Sequence, residues 1–332
     1  MGLQKILLQQ HVGTLCQAVV NVGDKVKKGS LIAKPTGLGA NIFSSVYGEV
    51  KEITKDAIII KKDENQAEEF IKLEGEDKFQ LIKDAGIVGM GGAGFPTSVK
   101  LGTKVKYILV NAAECEPLLK LHRQLLEKHA YEIMKTFHTV METVGASQAI
   151  IGIKRSYVQT IKALQQHIEE FPGLKLHLLD EVYPMGDEVV LIYEATGRVC
   201  RPGGLPIEQG VIVFNVETIY NVYQAMESQK PVTEKYVSVV AEVEHPVTVK
   251  VPLGCTLDEV VAQAGNITTK DPVYFVGGPM MGRIGSGADP VTKTTNAVLV
   301  LPRDHQIVMK KQRTSAIDLK RAASICCQCN TC

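Results

Sequence analysis

The chain has 332 residues, with 37 Lys plus Arg against 36 Asp plus Glu and a formal charge of +1, so no global field draws it to nucleic acid or to an anionic membrane. At roughly 150 residues per domain the length suits about two domains with sizeable cores. No apolar run approaches the ~18 residues of a membrane span, and the first 20 residues lack a basic, apolar, small-residue signal pattern, which sets the expectation of a cytoplasmic protein.

Residues 1–65 alternate short runs of Val and Ile with Gly, as in Val22-Gly-Asp-Lys-Val-Lys-Lys-Gly29, and predict a small β module. That phrase, with Leu31-Ile-Ala33, resembles the hairpin of biotinyl and lipoyl barrel-sandwich domains. The expected tip, Pro35-Thr-Gly-Leu-Gly-Ala40, has no lysine to carry a prosthetic group, so the module is expected to be scaffold.

From Lys78, the apolar residues Phe79, Ile82, Ala85 and Val88 lie three apart, the spacing of a short amphipathic helix. Beyond a glycine-rich loop come strand 107–111, a long helix over 118–144, strand 149–153, helix 157–170 and strand 174–179. Strand, long helix, strand is the pattern of right-handed βαβ units on a parallel sheet. A turn-rich stretch, 183–206, leads to strand 211–215 and a helix to about Met226. Residues 237–301 read as β-rich, with one helical pattern at 257–264 and a turn, Gly277-Gly-Pro-Met-Met-Gly282, which suggests a small β-grasp-like domain. The tail passes through a predicted helix, 315–324, into Cys326, Cys327, Cys329 and Cys332, four of the eight cysteines.

Gly89-Met-Gly-Gly-Ala-Gly94 satisfies G-x-G-x-x-G, and Glu114 lies 20 residues beyond its last glycine. A dinucleotide fingerprint leaves a strand and opens a full helix, whereas here a helical pattern precedes the loop and only a turn or two follow it before Gly102. Two readings stay open, a phosphate cradle of backbone amides and a tight turn between domains. Lys100 is placed to neutralise a phosphate. Strand 107–111 runs into Asn111-Ala-Ala-Glu-Cys-Glu-Pro117, which puts an amide and two carboxylates at the carboxyl end of a sheet strand, where open α/β sheets hold ligands. On their own, Glu114 and Glu116 would read as solvated loop residues.

Residues 86–101 and Asn111–Pro117, with Tyr183-Pro-Met-Gly-Asp-Glu188 and Asn215-Val-Glu-Thr218, resemble the flavin-binding core shared by the RnfC subunit of the Rnf electron-transport complex and the 51 kDa subunit of respiratory complex I. Gly277–Gly282 and Pro290-Val-Thr-Lys-Thr-Thr295 resemble the family's soluble-ligand-binding β-grasp (SLBB) segment. The resemblance implies an α/β fold in four parts: a barrel-sandwich hybrid at 1–65, a parallel α/β FMN- and NADH-binding domain at 78–230, the SLBB domain at 235–302, and the start of a ferredoxin-like domain at 315–332.

By motif position, Gly89, Gly91, Gly92 and Gly94 with Lys100 would cradle the FMN phosphate. Asn111, Glu114, Tyr183, Gly186, Asn215 and Thr218 would contact the flavin or its ribityl chain. Phe95 would stack on an NADH ring, and Glu116, Asp187 and Glu188 would hold NADH hydroxyls or the carboxamide. Hydride transfer needs positioned rings and tuned electronics rather than acid–base groups, so no catalytic side chain is assigned, and His122, His129 and His138 read as surface or packing residues. Met90, Ala113 and Lys154 depart from the complex I or Rnf pattern, and Lys154 leaves a second nicotinamide-facing carboxylate without a counterpart.

Cys326-x2-Cys329-x2-Cys332 matches the first three ligands of the bacterial ferredoxin run. A [4Fe–4S] cluster with its fourth ligand outside the chain is the favoured reading, with zinc as the alternative; Cys327 reads as a spacer. The family continues through two ferredoxin-like motifs, so the chain is expected to be a piece of a longer protein, a selenocysteine codon taken as a stop being one possible source. The implied activity is NADH oxidation through FMN, with electrons passed to a redox partner protein. D-proline reductase is the preferred partner, on a resemblance to the PrdC-type electron-transfer proteins. The alternatives are the RnfC subunit of a membrane-peripheral Rnf complex and a scaffold that keeps the fold without flavin. Cobalamin reductases share the core but are expected to place it ahead of the barrel, an order this chain does not follow.

Overall fold

The computed structural model describes residues 2–313 and 315–328. Seven short strands build the N-terminal module: β1 (Leu3–Leu7), β2 (Cys16–Ala18), β3 (Lys25–Val26), β4 (Leu31–Pro35), β5 (Ile42–Phe43), β6 (Gly48–Ile53) and β7 (Ala57–Lys62). They pair as two antiparallel sheets, ordered β1-β7-β6-β3 and β2-β4-β5, whose facing side chains Ile6, Ile32, Ile42, Ile58 and Ile60 are fully buried. The alternation that predicted the strands is therefore the alternation that fills the barrel.

The central part runs α1 (Lys78–Asp84), α2 (Thr97–Leu101), β8 (Tyr107–Ala112), α3 (Leu121–Lys128), α4 (Ala130–Thr143), β9 (Gln148–Lys154), α5 (Val158–Gln165), β10 (Leu174–Leu179), α6 (Glu188–Thr196), β11 (Val211–Asn215) and α7 (Val216–Ser228). Its four strands are all parallel, in the order β10-β9-β8-β11. Ile108, Leu109, Val110, Ile151 and Ile153 are buried without regard to alternation, as befits a sheet covered on both faces. The chain leaves β8 towards β9 and β10, then returns to lay β11 on the opposite side of β8. The direction of winding thus reverses between β8 and β11, whose last paired residues are Asn111 and Asn215. Open α/β sheets keep their ligands outside the strand ends at such a point.

Two helical expectations change. The long helix over 118–144 is two helices: Leu118 takes a left-handed φ of 70°, α3 starts only at Leu121, and His129 (φ −131°, ψ 36°) breaks the chain between α3 and α4. The turn-rich stretch after Tyr183 holds α6. Its sequence, Glu-Val-Val-Leu-Ile-Tyr-Glu-Ala-Thr, has no helical period to read, and its ends are fixed by caps instead. Asp187 Oδ1 accepts the amides of Val189 and Val190, and Gly197 closes the helix at φ 69°.

The third part comprises β12 (Glu234–Ala241), β13 (Val247–Pro252), α8 (Leu257–Val261), β14 (Pro272–Val276), β15 (Arg283–Gly285) and β16 (Ala297–Pro302). The mixed sheet is ordered β13-β12-β16-β14-β15, with β12 and β16 parallel and the other pairs antiparallel, a β-grasp-like arrangement around one short helix. Helices α9 (Gln306–Lys311) and α10 (Ser315–Ile325) follow. No described helix is long and apolar enough to cross a membrane. Lys293, fully buried on the loop before β16, ties the parts together by donating to the carbonyls of Asn41 (2.7 Å) and Gly86 (2.6 Å).

Candidate functional site

A cavity of about 860 Å³ opens at the winding reversal between β8 and β11, within the usual size range of ligand sites. Three walls converge on it. The glycine loop between α1 and α2 forms one and the carboxyl ends of β8 and β11 form the second. The third is the Gly277–Gly282 turn with the 292–296 loop of the β-grasp-like part.

The loop is held from behind by side chains at the end of β11, at the start of α7 and just before β16. Thr218 Oγ1 accepts the Met90 amide at 3.0 Å, Asn215 Nδ2 donates to the Met90 carbonyl at 3.0 Å, and Asn296 Nδ2 donates to the Gly91 carbonyl at 2.7 Å. Gly91 is left-handed at φ 75°, and an added Cβ there would fall 2.0 Å from Asn296 Oδ1, so only glycine fits. The Gly92 amide turns back onto the Gly89 carbonyl at 3.1 Å, while the amides of Gly91, Ala93 and Gly94 have no acceptor among the described residues. Successive unpaired amides around left-handed glycines form an anion-binding concavity. Beside them Lys100 Nζ donates to the Val213 carbonyl at 2.7 Å and sits near the rings of Phe95 and Phe214. Burial lowers its pKa, with Glu188 at 3.9 Å opposing. Glu188 is pushed up by burial and by Asp187, with Lys100 opposing. A negative group beside Lys100 would favour its charged form, so the cradle fits the phosphate of a nucleotide-like cofactor.

Of the fifteen residues expected at the cofactor, all but Gly94 line this cavity. Gly94 faces the barrel, where its carbonyl accepts the Val12 amide at 3.0 Å and an added Cβ would meet Thr294 at 3.0 Å and His11 at 3.3 Å. Several of the others are already occupied by protein partners. Glu114, at φ 44°, turns its carboxylate onto the amide of His122 (3.0 Å) and onto Arg123 Nε (3.3 Å), anchoring the start of α3. Glu116 accepts the amides of Met280 and Met281, both at 2.8 Å, and so binds the central part to the β-grasp-like part. Asn111 Nδ2 donates to the Gly186 carbonyl at 2.7 Å, and the Gly186 amide points at Cys115 Sγ, which sews the 183–187 segment to the end of β8. Asp187 caps α6. Of the expected residues, Tyr183, Phe95, Lys100 and Glu188 remain with side-chain surface to offer a ligand.

Three residues escaped the sequence reading. Asn296 lies immediately after the Pro290–Thr295 motif, and its part in the loop depends on a contact across 205 residues. His122, read as surface or packing, lines the cavity instead. Its Nδ1 is buried without a partner, and burial lowers its pKa against the opposing pull of Glu114 and Glu217. Thr294 also lines the cavity. Lys154 is not a lining residue; it lies 3.9 Å from Glu181 at the outer end of β9. No group of three or more potential metal ligands occurs among the described residues. Cys326 is exposed at the end of α10, while Cys329 and Cys332 lie outside the described residues.

Two family models match the chain in order: an RnfC barrel-sandwich hybrid domain over residues 4–74 and the Nuo51 FMN-binding domain over residues 82–224. The chain is 42% identical over 263 residues to the cobalamin reductase PduS of Salmonella typhimurium, a match covering 79% of this chain and 58% of that protein. The chain thus spans about three-fifths of that relative. With the RnfC-type subunit of the proton-translocating ferredoxin:NAD(+) oxidoreductase complex of Clostridium ljungdahlii it shares 30% identity, over 97% of this chain and 75% of the relative. Among solved structures, a chain of the NAD+-reducing [NiFe]-hydrogenase in the air-oxidised state superposes with a TM-score of 0.60 at 25% identity, covering 69% of this chain and 47% of that one. A barrel-sandwich module ahead of a flavin-binding core, matched along nearly its whole length to an Rnf component, means that the chain belongs to the RnfC family of the Rnf-type ion-translocating oxidoreductase complexes.

Proposed function

We propose that the cavity holds FMN and that the chain is an electron-transfer flavoprotein that takes a hydride from NADH and passes electrons, through iron–sulfur clusters, to a redox partner protein. The observation that carries this reading is the cradle of unpaired amides and Lys100 at the winding reversal of the sheet, inside a cavity roomy enough for a flavin. Bound FMN would supply hydride acceptance and release of single electrons, chemistry no side chain here offers.

The chain's own residues bind, orient and exclude water. The amides of Gly91 and Ala93 with Lys100 would hold the phosphate. The rigid backing of Thr218, Asn215 and Asn296 keeps those amides aimed without reorganisation on binding. Phe95, beside Lys100, offers the apolar face on which a nicotinamide ring can rest, and Glu188 is the lining carboxyl free to meet a ribose hydroxyl. Cys326, Cys329 and Cys332 would supply three thiolates of a [4Fe–4S] cluster.

The identity to PduS favours a second reading for the acceptor, a corrinoid-handling partner in place of an Rnf membrane complex. The D-proline reductase association draws no support from the relatives matched. The deciding experiment is anaerobic NADH titration of the purified protein's visible spectrum. A yellow protein that releases FMN on denaturation and bleaches with NADH is expected; a colourless protein that refuses added FMN overturns the reading.

A further inference from the structure

Beneath the glycine loop lies an ion pair, between Lys235 on β12 and Glu217 on α7, whose side chains are 0% and 1% exposed. A buried pair adds little net stability over an apolar pair of the same volume, so stability alone is a weak reason for it. Lys235 has three donors, and each has an acceptor: Glu217 Oε2, the Tyr236 carbonyl at 2.8 Å, and Asn296 Oδ1 at 3.4 Å. The second Glu217 oxygen accepts the Tyr236 amide at 3.2 Å.

The third of these contacts decides the orientation of a carboxamide. With its oxygen towards the ammonium, Asn296 must present Nδ2 to the Gly91 carbonyl. Turned the other way, it would press its own NH2 against the ammonium and its oxygen against the carbonyl. Gly91 in turn leaves the Asn296 side chain its place, since at its left-handed φ an added Cβ would fall 2.0 Å from Asn296 Oδ1. The Gly91 carbonyl direction fixes the adjoining peptide plane, whose Gly92 amide closes the turn on Gly89.

We propose that Lys235 and Glu217 are positioning residues for the glycine loop. Acting through Asn296, they let the β-grasp-like part set the shape in which the loop receives its ligand. This rests on the reading of the cavity as a flavin site.

The test measures FMN dissociation constants and unfolding midpoints on the full chain. Asn296→Ala is expected to weaken FMN about tenfold, or about 1.4 kcal/mol. Lys235→Met combined with Glu217→Gln removes the charges while keeping volume and an acceptor for the Tyr236 amide, and is expected to weaken FMN by the same factor. Joining all three changes should add no further loss. Asn296→Asp keeps an acceptor for Lys235 but turns oxygen against the Gly91 carbonyl, so its midpoint should hold while FMN binding falls at least tenfold; a purely structural pair would not separate the two readouts. Wild-type affinity in the Lys235/Glu217 variant, or losses that multiply with Asn296→Ala, overturns the proposal. If that variant does not fold, Asn296→Asp decides alone, and unchanged FMN binding overturns it. A wild-type chain that binds no FMN instead sinks the flavin reading, and this one with it.

Discussion

Glu116 and Met281 are joined at 2.8 Å, the carboxylate of the first accepting the amide of the second, while the other carboxylate oxygen holds the amide of Met280 at the same distance. The Gly277–Gly282 turn is so close that a Cβ on Gly278 would fall 2.2 Å from Glu116 Oε2. A residue expected to hold the dinucleotide thus fastens one wall of the cavity. Bonds to an ionised acceptor contribute about 1.5–3 kcal/mol each.

Glu116→Gln should therefore leave FMN content unchanged and speed hydrogen exchange at the Met280 and Met281 amides by roughly ten- to a hundredfold. If NADH competes for this carboxylate, the same two amides lose protection when NADH is added to the wild-type protein. Protection that stays the same on adding NADH makes Glu116 a structural fastener only.

The framework of the site was legible because it is local. Strands β8 to β11 show as apolar runs between helical patterns, whereas the reversal of winding between β8 and β11 shows only in the order of the sheet. What stayed hidden was the partner of each polar residue. Glu114 and Glu116 announce themselves as acids at a strand end, yet Glu114 serves the amide of His122, eight residues on, and Glu116 serves an amide 165 residues away. Helix α6 was hidden for another reason: its apolar residues point in all directions, so its boundaries are written in the caps Asp187 and Gly197 and not in any period.

Lys100 gives the site a pH signature. Burial lowers its pKa from 10.5, and a bound phosphate would raise it again, so FMN binding takes up a proton wherever the empty-site lysine is neutral. FMN affinity should fall as pH rises towards the ordinary lysine value. Lys100→Arg should flatten that dependence, because a guanidinium stays charged, and Lys100→Met should weaken FMN about tenfold or more at every pH. Titration of flavin fluorescence from about pH 7 to pH 10 measures all three. Unaltered affinity in Lys100→Met would mean that the phosphate is held elsewhere.

Lys293 makes the fold itself pH-dependent. Burial pulls its pKa from 10.5 down to about 7, against the opposing influence of Cys16. Below that folded-state value both the folded and unfolded chains carry the proton, and the cost of burying the charge weighs fully on the fold. Above it the unfolded chain binds more protons than the folded one, so this group's contribution to stability rises with pH until the unfolded lysine also titrates. The rise is at most about 1.4 kcal/mol per pH unit. Lys293→Met should remove it, at the expense of the bonds to Asn41 and Gly86. The wild-type unfolding midpoint minus that of the variant, measured from about pH 7 to pH 10, should therefore rise with pH; a constant difference would show that Lys293 is not titrating in the fold.

Gly89 and Gly91 separate the roles of the glycines. At Gly89 the nearest atoms to an added Cβ are 3.6 Å away, in ordinary contact, and its φ is not left-handed. Gly89→Ala should fold normally, and any loss of FMN would report the methyl group's intrusion into the space above the loop. Gly91→Ala meets both obstacles at once, a φ of 75° and an Asn296 oxygen 2.0 Å from the new carbon. Left-handed strain alone costs on the order of 1–3 kcal/mol, and displacing Asn296 also frees the Gly91 carbonyl. Gly91→Ala should therefore lower the unfolding midpoint and reduce FMN affinity at least a hundredfold, whereas shortening the obstructing side chain in Gly91→Ala with Asn296→Gly should recover only the part of the stability lost to the clash, the left-handed strain remaining, without recovering FMN binding. Stability and binding restored together would mean that steric room at Gly91, and not the direction of its carbonyl, is what the ligand requires.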